Sequence, residues 1–318
     1  MVRGRVATAL PLFAFFAALA VLPLSAQQPF TTGTNLVVVP VVVVDGKGTT
    51  VQGLTVEDFR VREDGAPVAI ESFVAPRVAP DNPDQSRFIV VALDNLMTRA
   101  EMAYRVKNIA TLLVDKLGPY DVMSVISING GKAVTTNSKA ELHAAVGRYK
   151  MSFGGDTMTG AQQASHGLRM LNSLTAQVAK APHQRKVLVV IGNARLFSPN
   201  EPSAFAELGG GPPRNDRSPE WDEAIKATAR NNVSVYVIDP EGLQASPGDW
   251  SKSFANETGG YAWGRTNNFR AAVDQIYRES ASFYLLGYTA PVNDDRLHKI
   301  DVQVTQKGAT VRARRARR

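Results

Sequence analysis

Four apolar runs constrain this chain most: FIVVALD from Phe88, DVMSVISI over 121–128, KVLVVIG over 186–192 and VSVYVID over 233–239. Each is apolar almost throughout instead of alternating with polar residues. Such a strand has to be covered on both faces, which is the condition of a parallel sheet sandwiched by helices. The intervals hold helix-length segments, spanning 98–117 up to Gly118-Pro119, then KAELHAAVGRY, TMTGAQQASHGLRMLNSL and NFRAAVDQIYRES, with KAVTT as a short extra strand. The alternation predicts an α/β domain over 87–282 with a doubly wound, mostly parallel sheet. A ligand site is expected at the carboxyl ends of its strands, where the winding direction reverses.

The flanks have β character. LVVVPVVVV at 36–44 falls well short of the roughly 20 residues that span a bilayer, so it reads as a strand. It ends at the turn Asp45-Gly46-Lys47-Gly48, and FRVRED and PVAIESFV flank Asp64-Gly65 as a hairpin. Pro40 lacks a ladder donor, which predicts an edge position or a bulge. The segment 34–75 is therefore an amino-terminal β segment, and the Pro-rich stretch 76–86 a linker. SFYLLGYTA, from Ser282, and KIDVQVTQ carry strands separated by VNDDR, and 283–311 reads as a carboxyl-terminal β segment. Neither flank encloses a core alone, so the two are predicted to unite as a small β-sandwich-like domain.

Residues 1–26 have the build of a secretory signal: Arg3 and Arg5, an apolar stretch from Ala7 to Leu24, and Leu24-Ser25-Ala26 as a cleavage site. The expectation is a secreted or periplasmic protein cleaved near Ala26, with no membrane span after signal removal. The absence of cysteine excludes disulfides, thiolate metal sites and a cysteine nucleophile. The formal charge of +7 looks like a nucleic-acid signal until it is located. Two arginines lie in the signal and five in the final RARRARR, and 7 − 2 − 5 leaves a neutral body. No specific nucleic-acid partner is expected, and 312–318 reads as a solvated basic tail.

Asp94 closes the first buried strand in ALDNLMTRAE, a Gly-Gly-Asp-Thr loop precedes a helix, and FANETGGYAW lies near the end of the domain. This arrangement resembles von Willebrand factor type A domains over about residues 86–282. LTVEDFRVREDG, VYVIDPEGL and FYLLGYTAP resemble an exported, acidobacterial-type subgroup of them. The resemblance implies a metal-ion-dependent adhesion site built from an Asp-x-Ser-x-Ser loop, a loop threonine and a second aspartate. Asp94 matches the first aspartate, Leu96 stands at the first serine, and Thr98 replaces the second. Thr157 matches the loop threonine, beside Asp156 as a substitute carboxylate, while Gly192 and Asn193 stand at the family's threonine and aspartate. Asp94, Thr98, Thr157 and Asn193 are thus the candidate ligands of a weakened Mg²⁺ or Mn²⁺ site. A bound cation would offer an open position to an acidic side chain of a partner protein. Without it, the partner would meet rim loops such as 194–219.

The same residues have plainer readings. Thr98-Arg99-Ala100-Glu101 and Thr159-Gly160-Ala161-Gln162 match capping boxes, and Asp94 can cap backbone N–H groups without metal. His143, His166, His183 and His298 show no zinc-hydrolase spacing, and there is no Gly-x-Ser-x-Gly elbow. Asp239-Pro240-Glu241 sets two carboxylates at a strand end, which fits a terminating turn more simply than acid/base chemistry. The expectation is a non-catalytic protein-binding module, the alternative a divalent-cation-dependent enzyme or hydrolase of unrecognised type.

Overall fold

The computed structural model describes residues 36–75, 86–152, 158–183, 185–197, 218–245, 249–294 and 296–317. The proposed signal, nearly all of the linker, Asp156 and Thr157 lie outside these residues. The described residues all belong to one compact unit.

The central sheet contains β5 (Arg87–Leu93), β6 (Val122–Ser127), β7 (Val134–Thr136), β8 (Arg185–Ile191), β9 (Val233–Ile238) and β10 (Ala262–Trp263). Their spatial order is β10-β9-β8-β5-β6-β7, all parallel except β7, which runs antiparallel to β6. The chain winds outward from β5 through β6 and β7, then crosses to β8 and winds the other way. The reversal therefore falls between the carboxyl ends of β5 and β8.

Among the described residues, six helices cover the sheet: α1 (Ala103–Asp115), α2 (Lys139–Gly147), α3 (Gly160–Ala179), α4 (Pro219–Arg230), α5 (Asp249–Glu257) and α6 (Phe269–Ala281). Successive residues of β5 serve opposite faces. Ile89, Val91 and Leu93 pack against α1, α2 and α6, while Val90 and Ala92 face α3, α4 and α5 around Leu168, Trp221 and Phe254. Thr159 and Gln162 form a reciprocal capping box at the start of α3. The loop expected over 194–219 begins differently: Ala194–Phe197 is a 3-10 turn that buries Leu196 and Phe197 in this second core. These two apolar side chains gain more by burial than a polar rim loop could offer them.

The flanking segments form two antiparallel sheets. One has the order β13-β1-β11-β4, using β1 (Leu36–Val44), β4 (Ser72–Val74), β11 (Tyr284–Thr289) and β13 (Thr310–Ala313). The other has the order β14-β12-β2-β3, using β2 (Phe59–Glu63), β3 (Ala66–Val68), β12 (His298–Val304) and β14 (Ala316–Arg317). A third core unites them through Val39, Val41, Phe59, Val61, Tyr284, Leu286, Tyr288 and Ile300. Pro40 lies within an interior strand, but where it pairs with β11 only, because β13 begins its pairing at Val41.

The arginine run does not behave as a solvated tail. It supplies β13 and β14, and three of its guanidinium groups are spent inside the protein. Arg312 pairs with the buried Glu279 and covers the Tyr261 ring at 4.2 Å. Arg314 donates to the carbonyls of Val38, at 2.8 Å, and Ala229. Arg317 forks onto Glu63 and donates to the Val292 carbonyl at 2.6 Å. The physical reason is reciprocal: buried Glu63 and Glu279 need cations, and arginine's planar fork supplies them where a solvated lysine would lose more hydration.

Arg317→Ala is expected to lower stability by about 3 kcal/mol, because it leaves Glu63 buried without its cation. The readout is a lower urea midpoint, with exposed Arg315→Ala as a control that barely moves it. Equal midpoints for the two variants would show that the buried pair contributes nothing.

Candidate functional site

Asp94 is the residue immediately after β5, and its side chain is completely buried. Its Oδ1 accepts the backbone N–H groups of Leu96 at 2.9 Å and Met97 at 2.8 Å. Its Oδ2 accepts the Thr98 hydroxyl at 2.9 Å and the Asn193 N–H at 3.1 Å. A carboxylate offers about four acceptor positions, and here four donors of the chain occupy them. Burial raises the Asp94 pKa, and these four donors act against that rise. The Thr98 hydroxyl is thereby drawn away from the predicted capping box: the 3-10 turn Ala100–Met102 starts from Arg99 without a side-chain cap.

Gly192 explains how the strand ends come so close. A Cβ at that position would lie 2.4 Å from the Asp94 Cβ and 2.9 Å from its Oδ2. The backbone is laced across the reversal, with Asp94 N–H donating to the Ile191 carbonyl and Gly192 N–H to the Ile238 carbonyl. On the other side, Tyr149 donates its hydroxyl to the Asp94 carbonyl at 2.7 Å. Asn95 exchanges two hydrogen bonds with the Asn129 backbone, and the Asn129 amide reaches the Ser152 hydroxyl at 2.8 Å.

Asn193 turns its amide N–H toward Glu241 Oε1 at 2.8 Å and accepts the Arg195 N–H on its Oδ1 at 2.9 Å. Asp239 accepts the N–H groups of Glu241 at 2.9 Å and Ala194 at 3.3 Å. Arg99 approaches Glu241 at 3.4 Å, and Arg105 donates to the carbonyls of Pro240 and Glu241 and to Asn267. Burial, then the neighbouring charges of Glu241 and Asp94, pushes the Asp239 carboxyl up to about 6, against the pull of its backbone donors. The Asp239-Pro240-Glu241 turn is therefore a terminating turn and also a wall of the site, which its position after a fully buried strand already signals.

Asp94, Thr98 and Asn193 thus meet at the reversal point through direct hydrogen bonds. These three described candidates offer no free carboxylate to a directly coordinated Mg²⁺ or Mn²⁺, which needs oxygen ligands in near-octahedral array. The acceptor positions of Asp94 are taken, and Asn193 has turned its amide nitrogen to Glu241 and its oxygen to Arg195. Leu96 is buried and presents only an apolar side chain.

No family model matches the chain, and no curated protein matches it. Among solved structures, the crystal structure of the SpRpn10 VWA domain is similar, with a TM-score of 0.37 and 11% identity, covering 59% of this chain and 93% of that one.

Gly192→Ala is expected to cost about 2 kcal/mol through overpacking against Asp94, read as a lower urea midpoint. An unchanged midpoint would mean that the strand ends part freely. Asp239 titrates above the ordinary aspartate range, so its favourable contribution is complete below about pH 4 and is lost as pH rises through about 6. Melting temperature measured against pH should show this step in the natural chain and lack it in Asp239→Asn.

Proposed function

We propose that this chain is an exported, non-catalytic protein-binding module of the von Willebrand type A kind, engaging its partner on the rim at the carboxyl ends of β5, β8 and β9. The signal-like residues 1–26 support export to the periplasm or beyond the cell. The rim works without a divalent cation. The observation that carries this is the filled acceptor set of Asp94, with the Asn193 amide bonded to Glu241 where a second carboxylate would help hold a cation.

Two large side chains supply contact area there. Tyr104, at the start of α1, is 76% exposed, and Leu243, in the turn after β9, is 64% exposed. Asn267 links their neighbourhoods: its Oδ1 accepts the guanidinium of Arg105, next to Tyr104, and the Leu243 N–H. Tyr104 is the aromatic anchor that suits protein recognition, and Leu243 adds apolar contact area beside it.

The experiment is cross-linked capture from an exported fraction with the chain as bait, in EDTA and in Mg²⁺. The expected result is the same partner in both, lost for Tyr104→Ser with Leu243→Ser at an unchanged melting temperature. Capture that requires Mg²⁺ or Mn²⁺ would overturn the cation-independent reading. A second measurement restores the family pattern with Leu96→Ser and Asn193→Asp: these substitutions should create a Mg²⁺-dependent rise in melting temperature that the natural chain lacks.

A further inference from the structure

A second cluster of ligand-bearing side chains lies in the terminal sandwich, away from the β5–β8 reversal. Glu63 ends β2, Asp64 follows it at φ +49° in the tight turn to β3, and His298 opens β12. Their ligand atoms lie within 4.8 Å of one another, the only such group of three among the described residues. His298 Nδ1 is 2.8 Å from Asp64 Oδ2 and 3.9 Å from Glu63 Oε1. His298 Nε2 is 2.7 Å from Asp294 Oδ1. The His298 side chain is nearly enclosed, 5% exposed, whereas the Asp64 side chain is 55% exposed and opens the group to solvent.

Orientation distinguishes this group from an ordinary surface cluster of acids: a carboxylate on one ring nitrogen, leaving the other aimed at further carboxylates, is the arrangement that positions histidine as a metal ligand. Charge tolerates a dication there: Glu63, Asp64 and Asp294 face Arg317, Arg296 and a protonated His298, −3 + 3 = 0, and a dication in place of the Nδ1 proton gives −3 + 2 + 2 = +1.

We propose that His298, Asp64 and Glu63 form a zinc-class metal site. His298 Nδ1, Asp64 Oδ2 and Glu63 Oε1 are the ligands, Asp294 fixes the ring, and the fourth position faces solvent beside Asp64. Zn²⁺ takes nitrogen and carboxylate oxygen at about 2.0–2.2 Å in tetrahedral array, which sets ligand separations of about 3.4 Å. The 2.8 and 3.9 Å separations bracket that value. Mg²⁺ and Ca²⁺ fit poorly, since they prefer all-oxygen sets of six or more.

Arg317 gives up one contact to this site. Its NH2 bonds Glu63 Oε1, the ligand oxygen, and once metal takes that oxygen the NH2 is left with the Val292 carbonyl at 2.6 Å, while its Nε and the Tyr288 hydroxyl keep Glu63 Oε2 at 2.7 Å. The competitor is the proton. Asp294 and Asp64 hold the His298 imidazolium above its ordinary range, so metal has to displace that proton and binds more tightly as pH rises.

The test uses the full chain with Zn²⁺, and with Co²⁺ as a spectroscopic substitute. Micromolar Zn²⁺ should raise the melting temperature by about 5 °C at pH 8 and by less at pH 6. Co²⁺ should give the visible absorption of a tetrahedral site. Both signals should vanish in His298→Gln and in Asp64→Asn, the latter chosen because asparagine tolerates the left-handed turn conformation. Both should persist in Asn193→Asp, which separates this site from the β5–β8 rim. Absence of any Zn²⁺ shift in the natural chain, or an equal shift in His298→Gln and Asp64→Asn, would overturn the proposal.

Discussion

A carboxylate buried without a cation organises the centre of this protein. Asp94 has lost its water entirely, and an isolated ionised group in that position would be very costly. Backbone N–H groups from its own loop, one hydroxyl and one N–H from the neighbouring strand end replace the lost hydration. The loop after β5 must therefore curl around Asp94, Thr98 must point inward, and the segment after β8 must approach within contact. Gly192 allows that approach because any side chain there would occupy the space of Asp94. The reversal of winding between β5 and β8 gives these groups a common location, and their hydrogen bonds then fix the rim.

The same logic of replaced hydration joins the sandwich to the α/β layers. Glu279 on α6 receives Arg312 from β13, along with Gln275 and the Tyr236 hydroxyl. Arg314 reaches from β1 to the end of α4 through the carbonyls of Val38 and Ala229. The Arg315 N–H donates to the Glu257 carbonyl at the end of α5. One short, strongly basic stretch thus touches three helices and both antiparallel sheets, and its charge is structural.

Much of this was legible in the chain because the signals are local. Four continuous apolar strands dictate burial on both faces, and Asp94 and Asn193 fall at strand ends whatever the details. The capping pair Thr159 and Gln162 lies within one turn of helix. Helix α4 was not anticipated beside its Gly- and Pro-rich neighbour, although Ser218 as cap and Pro219 in the first turn are the marks of a helix start. The arginine run misleads for a different reason. An arginine far from any acid in sequence looks solvated, and nothing local reveals that Glu63 stands 254 positions away, ready to receive it. Thr98 misleads similarly: as a cap it needs only its own helix, but Asp94 offers its hydroxyl a buried charge.

The interleaving of the terminal strands has a kinetic meaning. Strand β1 is flanked by β11 and β13, and β2 pairs with β12, so the sandwich closes loops of more than 200 residues. Such closure is slow compared with forming neighbouring strand–helix units, and a chain made or threaded from its amino end presents β13 and β14 last. Until then β1 and β2 are adhesive edges awaiting partners. The α/β insert can assemble between them first, and by drawing its two ends toward each other it would shorten the search that the outer strands have left to make.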